Sequence, residues 1–294
     1  MNEKLIVIGR GFLGIEVEKR AKEQGYAVIC TNKTKQKNSV KLNIVNSKEV
    51  EEFVLKHNPK FIINCAVSGK IDYLENHQVE AFNVNTLGIK NLAKICKKRK
   101  IKIIHISTDS IFDGLRGNYS ENDLPNPLNI YAKSKFLGEE ELKNIAEDYI
   151  IIRTNFYGID KRGNYFLNWI LDSIKNKEEI KGFEDIIFSP VDIQTLSSIV
   201  IELLTKEYSG ILHISSGKQI SKFRFITKIV EFLGEDTKKI IPINYHQSLF
   251  NSKRPMNTTL NNKKSLKIIK TPIISIDQWL KNHKKEILDY IRNS

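Results

Sequence analysis

A glycine-rich stretch close to the start of the sequence constrains the fold more than any other feature. In VIGRGFLG, Gly9, Gly11 and Gly14 have the spacing G-x-G-x-x-G and lie between a predicted strand and a predicted helix. In this setting the first glycine allows a tight turn, the second lets the backbone approach a pyrophosphate, and the third permits close helix packing. The start of the helix adds unpaired N–H groups that favour phosphate. The stretch therefore predicts a dinucleotide site.

Strand and helix patterns alternate along the first half of the chain. Buried strands are predicted at KLIVIG, YAVIC, KFIINCAV, KIIHIST and YIIIRTN, and amphipathic helices such as HQVEAFNVNTLGIKNLAKICKKRK separate them. Parallel strands joined by helices predict an α/β fold with a doubly wound parallel sheet, the Rossmann fold. We assign residues 1–158 to this NAD(P)-binding domain. Residues 159–294 are assigned mainly to a smaller C-terminal α/β substrate-binding lobe that ends in one helix, ISIDQWLKNHKKEILDYIRN, with parts of the later chain returning to the sheet.

Composition and charge exclude several other classes of protein. The formal net charge is +13, but the lysines are spread along the chain without a nucleic-acid motif, so we expect a basic surface and no nucleic-acid partner. No apolar run approaches the ~18 residues of a spanning helix. The strand pattern that begins within MNEKLIVIGRG leaves no room for a signal peptide, so we expect a cytoplasmic protein that binds no membrane. Cys30, Cys65 and Cys96 are expected as free thiols, and the scattered histidines predict no metal.

The residues after the second strand indicate which dinucleotide is preferred. A carboxylate there would bind the ribose hydroxyls of NAD, but YAVICTNKTKQK contains none. It offers Thr31, Asn32, Lys33 and Lys35 instead, and Arg10 in the glycine loop adds a further cation. A ribose 2′-phosphate would meet cations rather than a carboxylate. NADP is therefore favoured, with NAD as the alternative.

Two residues of a predicted helix have the spacing needed for proton transfer. Tyr131 and Lys135 are four residues apart and share one helix face. An ammonium beside a phenol favours the phenolate, so we expect Lys135 to lower the pKa of Tyr131. Tyr157 and Lys161 have the same spacing without the same setting. Thr108, at the end of the fourth strand, is placed to donate to a carbonyl oxygen of a substrate while Tyr131 supplies the proton.

These residues resemble the extended short-chain dehydrogenase/reductase superfamily and, within it, the dTDP-4-dehydrorhamnose reductase family. The resemblance is most specific in STDSIFDG followed by YAKSKFLGE, and it extends from the glycine loop to RPMNTTLNNKKS. It implies that NAD(P)H delivers hydride to C4 of a nucleotide-linked 4-keto-6-deoxy sugar while Tyr131 protonates the alkoxide. Lys135 would bind the nicotinamide ribose and tune Tyr131, and Thr108 would orient the keto oxygen.

The glycine loop and the resemblance together imply two sets of binding residues. The cofactor set is Gly9, Arg10, Gly11, Phe12, Leu13, Gly14, Thr31, Asn32, Lys33, Asn43, Ile44, Cys65, Ala66, Val67, Asn85, Ser107, Tyr131 and Lys135. The substrate set is Ser68, Thr108, Asp109, Ser110, Asn155, Phe156 and Arg254. Arg254 is included because a guanidinium binds phosphate oxygens well; a structural arginine before a proline is the alternative.

Departures from the family pattern fall on the substrate side. Ser68 and Gly69 replace an aromatic residue and a hydroxyl residue, Ser110 stands where the family usually has tyrosine, and Asn155-Phe156 stand where it usually has Ser-Trp. We therefore expect a larger, more polar pocket and a nucleotide-sugar substrate other than the family's usual one.

Two other functions stay open at this point. One is an epimerase or dehydratase of the same superfamily. The other is a non-catalytic cofactor-binding subunit, since the regulatory subunit of methionine adenosyltransferase resembles the same family. A homodimer is the candidate assembly.

Overall fold

Seven parallel strands form the central sheet of the protein. The computed structural model describes residues 3–160, 162–163, 165–246 and 249–293. The strands, in chain order, are β1 (Lys4–Ile8), β2 (Ala27–Asn32), β3 (Val40–Lys41), β4 (Phe61–Asn64), β5 (Lys102–Ile106), β6 (Tyr149–Thr154), β7 (Phe156–Tyr157), β8 (Ile180–Phe183), β9 (Ile187–Phe188), β10 (Val191–Asp192), β11 (Gly210–Ile214), β12 (Ile220–Ser221) and β13 (Ile240–Ile243). The helices are α1 (Phe12–Glu23), α2 (Ser47–His57), α3 (Ile71–Glu75), α4 (Gln78–Phe82), α5 (Gly88–Arg99), α6 (Ile130–Ile145), α7 (Phe166–Lys175), α8 (Ile193–Glu202), α9 (Lys222–Leu233), α10 (Ile276–Asn282) and α11 (Lys284–Asn293).

The chain changes direction within this sheet between β1 and β4. The strand order is β11-β6-β5-β4-β1-β2-β3, so the chain runs outward from β1 to β3 and then crosses back to β4. All neighbouring pairs are parallel. Such a reversal opens a crevice at the carboxyl ends of the strands. The predicted α/β fold with a doubly wound parallel sheet is confirmed.

Both faces of the sheet are buried, which explains why its strands are nearly continuous apolar runs. Side chains alternate between the two faces with a period of two. In β1, Leu5 and Val7 face one apolar cluster, which includes residues of α1 and α8. Ile6 and Ile8 face the other cluster, which includes residues of α2, α5 and α6.

Parts of the chain beyond residue 158 pack on or join the central sheet. α8 packs against α1. β11 adds the seventh strand, with Leu212 in register with Ile152 of β6. The division of the chain at residue 158 stays a prediction.

Short strand pairs and helices form the C-terminal lobe. β7 pairs with β10, β8 with β13, and β9 with β12. Its core contains Leu167, Phe225 and Trp279. The single helix predicted at the end of the chain is wrong at one point, because α10 and α11 are separated by His283, whose ring stacks on Trp279 at 4.7 Å. Beyond this break α11 reaches α7, where the Tyr290 hydroxyl donates to Asp172.

The long helix predicted over residues 77–100 contains a π-helical turn at Asn83–Leu87. This turn brings its backbone very close to α6. A Cβ at Gly138 would lie 2.1 Å from the carbonyl oxygen of Asn85. Gly138 is therefore needed where α6 crosses the π-helical turn.

Two negative findings concern the described residues alone. None of their helices has both the length and the apolar character needed to cross a membrane. Within the same ranges, no three His, Cys, Asp or Glu side chains are grouped so that they could hold a metal ion.

Replacing Gly138 by alanine should destabilise the fold. Alanine is favoured over glycine inside a helix by about 1 kcal/mol, so a net loss requires that the clash with Asn85 dominates. We expect the free energy of unfolding to fall by about 1–3 kcal/mol, measured by urea denaturation. Lys133→Ala, at an exposed position of α6, serves as the control. A Gly138→Ala protein as stable as the wild type would contradict the close packing.

Candidate active site

A cleft of about 330 Å³ opens at the switch point of the sheet, at the ends of β1, β2 and β4. This is within the size range of small-molecule and cofactor sites. The predicted cofactor residues that line it are Gly9, Gly11, Thr31, Asn32, Lys33, Asn43, Ile44, Cys65, Ala66 and Val67. The fold thus brings together residues from four segments of the sequence.

The glycine loop is shaped for close approach of backbone and ligand. Gly9 has a φ of +84°, and a Cβ there would lie 2.6 Å from the Cα and N atoms of Ala66. A Cβ at Gly14 would lie 2.1 Å from the carbonyl oxygen of Gly9. Gly11 precedes α1, has no neighbour within 4 Å of a Cβ position, and is followed by a first turn without acidic residues. Open backbone N–H groups at a helix N-terminus fit a pyrophosphate.

The end of β2 anchors the glycine loop from the other side. The carbonyl oxygen of Thr31 accepts from the N–H groups of Gly9 (2.9 Å) and Arg10 (3.1 Å). The side-chain oxygen of Asn32 also accepts from the Arg10 N–H, at 2.8 Å. The Thr31 hydroxyl is buried and has no hydrogen-bond partner among the described residues. A ribose with hydroxyl groups fits this position.

Three predicted cofactor residues differ from expectation in where their side chains point. The guanidinium of Arg10 pairs with Glu18 of α1 at 2.6 Å, so it is engaged away from a 2′-phosphate. The Leu13 side chain is buried in the core, which leaves only its backbone for a ligand. The Ser107 hydroxyl donates to Glu139, in a buried network with Arg153. The side chains of these three residues therefore contact the protein itself, and their role at the cofactor stays a prediction.

Asn85 connects the cofactor cleft to α6. Its side-chain oxygen accepts from the N–H of Ser68 at 3.1 Å, and its amide donates to the Ser134 hydroxyl at 3.0 Å. Ser68, predicted at the substrate, lines the cofactor cleft, and its hydroxyl donates to Glu80. Asn85 therefore positions the loop after β4 rather than offering a free amide.

Thr108, Tyr131 and Lys135 come together where β5 ends. The Thr108 hydroxyl lies beside the Tyr131 phenol and acts on its pKa. The Lys135 ammonium donates to the carbonyl oxygen of Ile106 at 2.6 Å. Burial lowers the pKa of Lys135 to about 8. The three residues predicted to be catalytic thus share one site.

The prediction that Lys135 lowers the pKa of Tyr131 is wrong. Burial raises the pKa of Tyr131 to about 12, and the hydrogen bond with Thr108 only partly offsets this. The ammonium of Lys135 is turned toward Ile106 and His105, so burial dominates. A phenol that stays protonated near neutral pH is suited to act as a general acid.

His105 lies behind Lys135 and was not singled out from the sequence. It is fully buried, with Nε2 3.3 Å from the Lys135 Nζ and Nδ1 3.0 Å from the Asn64 Nδ2. Burial and the nearby ammonium hold its pKa well below the usual value, so the imidazole is neutral. Asn64 in turn accepts from the Ala66 N–H at 3.2 Å. The sequence alone did not indicate that His105 contacts Lys135, because a single histidine within an apolar strand belongs to no recognisable motif.

Asp109 organises the predicted substrate side. Its buried carboxylate accepts from the side chains of Asn155 (3.1 Å) and Thr258 (2.6 Å), and the hydroxyls of Thr108 and Ser110 complete the set. Burial raises the pKa of Asp109, while these hydrogen bonds lower it. Thr258 was missed because it is 149 residues away in the sequence.

Aromatic rings remain at the mouth of the site despite the departures noted in the sequence. The ring of Phe12 is 6.2 Å from that of Phe156 and 4.5 Å from that of Tyr165. Tyr165 also acts electrostatically on Tyr131, so it lies near the reacting centre. Aromatic side chains from other segments therefore partly replace those that are missing at the positions where the sequence departs from the family.

Arg254 is paired within the protein. Its guanidinium is 2.7 Å from Asp72 of α3 and stands over the ring of Phe250. Ser252 also donates to Asp72, and Asn129 donates to the carbonyl oxygen of Lys253. These contacts fasten the 252–254 loop to α3 and α6, which favours the structural alternative for Arg254.

Comparison with known proteins adds independent findings. Residues 3–290 match a family model described as "RmlD substrate binding domain". The chain is 32% identical over 240 residues to the spore coat polysaccharide biosynthesis protein SpsK of Bacillus subtilis, with 81% of each chain covered. It is 30% identical over 241 residues to the "Probable low-salt glycan biosynthesis reductase Agl14" of Haloferax volcanii, with 78% of this chain and 80% of that protein covered.

A solved structure is similar over almost the whole chain. It is a dTDP-4-dehydrorhamnose reductase from Bacillus anthracis in complex with NADP. The TM-score is 0.88 and the identity 28%, with 97% of this chain and 100% of that chain covered.

Replacing His105 by leucine should destabilise the protein. The change removes the one acceptor nitrogen of the neutral ring and leaves a buried donor unpaired beside it, which costs about 1–3 kcal/mol. Urea denaturation measures this loss, and His105→Gln, which keeps a polar partner, should lose less. Equal stability of the wild type and the leucine variant would contradict the role of His105.

Proposed function

Since the chain belongs to the RmlD substrate-binding-domain family, we propose that it is an NAD(P)H-dependent reductase of a nucleotide-linked 4-keto sugar. The observation that carries the proposal is the contact between Thr108 and Tyr131 at the end of β5, with Lys135 one turn further along α6. A module that only binds a cofactor has no chemical need for a proton donor beside a carbonyl-orienting hydroxyl. Reductase names among the relatives support the same reaction.

We assign a separate role in the reaction to each of the three catalytic residues. When bound at the glycine loop, the reduced nicotinamide supplies a hydride to the carbonyl carbon of the sugar. Without a sugar the Thr108 hydroxyl donates to Asp109; with the sugar bound it turns to donate to the carbonyl oxygen and fixes its position. Tyr131, protonated at neutral pH, gives its proton to that oxygen. Lys135 keeps donor capacity beyond its contacts with Ile106 and His105, since an ammonium has three N–H groups, and we assign this to the nicotinamide ribose.

NADP is the favoured cofactor, with NAD as the alternative. Asn32 and Lys33 line the cleft where a carboxylate would favour NAD, and the similar Bacillus anthracis structure contains NADP. A cytoplasmic location and a homodimeric assembly belong to the same proposal. The location is supported by the cofactor and substrate class, which are products of cytoplasmic metabolism.

Removing the phenolic proton should abolish the reaction. We expect Tyr131→Phe to reduce kcat by about 10²–10⁴-fold, while the Kd for NADPH changes less than about twofold because the cleft at the glycine loop is intact. The assay follows NADPH oxidation with dTDP-4-keto-6-deoxy sugars. Tyr26→Phe, far from the site, is the control. Rates like those of the wild type in Tyr131→Phe would refute the assignment.

A carboxylate at the end of β2 should reverse the cofactor preference. Asn32→Asp keeps the oxygen that accepts from Arg10 but adds a negative charge near a 2′-phosphate. We expect the KM for NADPH to rise about tenfold, with the KM for NADH unchanged or lower. Steady-state kinetics with both cofactors measure this, and Asn58→Asp, at an exposed position, controls for the added charge. Equal changes for both cofactors would contradict the proposed contact.

A further inference from the structure

Lys222, at the start of α9, extends its ammonium from the C-terminal lobe toward the reacting centre. Its backbone N–H donates to the carbonyl oxygen of Ile186 at 2.9 Å, which fixes where α9 begins. Its Nζ stands 3.4 Å from the ring centre of Phe188 and 4.4 Å from that of Phe166. The two rings belong to β9 and α7, so two elements of the lobe hold the ammonium in place.

The same ammonium faces the buried carboxylate beside Thr108. Asp109 and Lys222 interact electrostatically, and Asp109 also acts on Tyr131. Lys222 and the proton donor therefore share one neighbour. Lys222 therefore lies on the same side of the catalytic residues as Asp109.

The ammonium of Lys222 lacks an acceptor within the protein. Among the described ranges, no carboxylate lies within ion-pair distance of its Nζ and no oxygen accepts a hydrogen bond from it. Asp109 is already saturated by donors from Thr108, Ser110, Asn155 and Thr258. Aromatic faces attract a cation but use none of its three N–H groups as an oxygen would.

The Lys222 side chain is half-buried, so its ammonium can be reached by a ligand, while the aromatic and apolar surroundings disfavour the charge. Burial lowers the pKa of Lys222 to about 8, and Asp109 only partly opposes the shift. An apolar or aromatic side chain at this position would pack between Phe166 and Phe188 without that cost. A charged donor kept here points to an acceptor that arrives with the substrate.

The charge of the pocket indicates what kind of acceptor fits. A phosphate or carboxylate would bring a second negative charge close to Asp109, and like charges at short range repel. A neutral hydroxyl oxygen adds no charge and accepts well from an ammonium. The ring of a hexose carries such oxygens next to the keto carbon.

We propose that Lys222 is a substrate-binding residue that donates a hydrogen bond to a ring hydroxyl of the sugar near its keto carbon, and that it thereby selects hydroxylated over deoxygenated sugars. This inference rests on the proposed reductase function and names the substrate class of the same site.

The test compares three substrates with three proteins. The substrates are dTDP-4-keto-6-deoxyglucose and its analogues that lack the hydroxyl at C2 or at C3. The proteins are the wild type, Lys222→Met and the control Lys228→Met, also on α9 but paired with Asp277 at the surface. Methionine keeps the unbranched apolar stem between the two rings, and thermal melting of Lys222→Gln checks that loss of the charge leaves the fold intact.

We expect Lys222→Met to lower kcat/KM for the fully hydroxylated sugar by about 10- to 100-fold, with the KM for NADPH unchanged. For one of the two deoxy analogues the variant and the wild type should agree within about twofold, because the hydroxyl that Lys222 binds is already absent. Lys228→Met should match the wild type on all three sugars.

Three results would overturn the inference, and the last of them would also overturn the proposed function. An equal loss on all three sugars would make Lys222 a structural residue. A weaker inhibition constant for dTDP alone in Lys222→Met would assign the ammonium to the diphosphate. If the wild type binds NADPH but reduces none of the sugars, the reductase function itself fails, and the inference on Lys222 fails with it.

Discussion

The hydrogen bond from the Lys135 ammonium to the carbonyl oxygen of Ile106 is the contact on which the rest of the site depends. It joins the middle of α6 to the end of β5 at 2.6 Å, and a buried ammonium cannot be left without acceptors. Tyr131 lies one helical turn before Lys135, and Thr108 lies two residues beyond Ile106. Because this hydrogen bond fixes Lys135, it also holds the Tyr131 phenol beside the Thr108 hydroxyl. The position of the proton donor is a consequence of where α6 is fastened to the sheet.

The same contact reaches the cofactor cleft through a short hydrogen-bonded path. His105 lies between Lys135 and Asn64, and Asn64 holds the N–H of Ala66. Ala66 is the residue against which Gly9 packs so closely that no side chain would fit. Asn85 adds a second connection, from the loop after β4 to α6. The two halves of the site, one for the dinucleotide and one for the sugar, are thus held in one geometry by buried polar contacts across β4 and β5.

Local features of the sequence predicted the sheet, the glycine loop and the Tyr131–Lys135 pair, because each depends on residues within a few positions of one another. Features that depend on distant partners were out of reach. Thr258 and Lys222 meet Asp109 only after the C-terminal lobe has packed against the sheet. The spacing of Tyr131 and Lys135 indicated attraction but contained no information on burial, which governs the Tyr131 pKa. Strands of two to four residues, as in β7 to β10, are too short to show a period.

The proposed reaction transfers hydride from NADPH to the keto carbon of a nucleotide-linked sugar. The most direct measurement uses NADPH that carries deuterium at the transferred position of the nicotinamide, together with dTDP-4-keto-6-deoxyglucose, and determines the mass of the product sugar. We expect one deuterium, located at C4 of the reduced sugar. Tight NADPH binding with no deuterium in any sugar of a 4-keto panel would contradict it and would favour a cofactor-binding subunit without turnover.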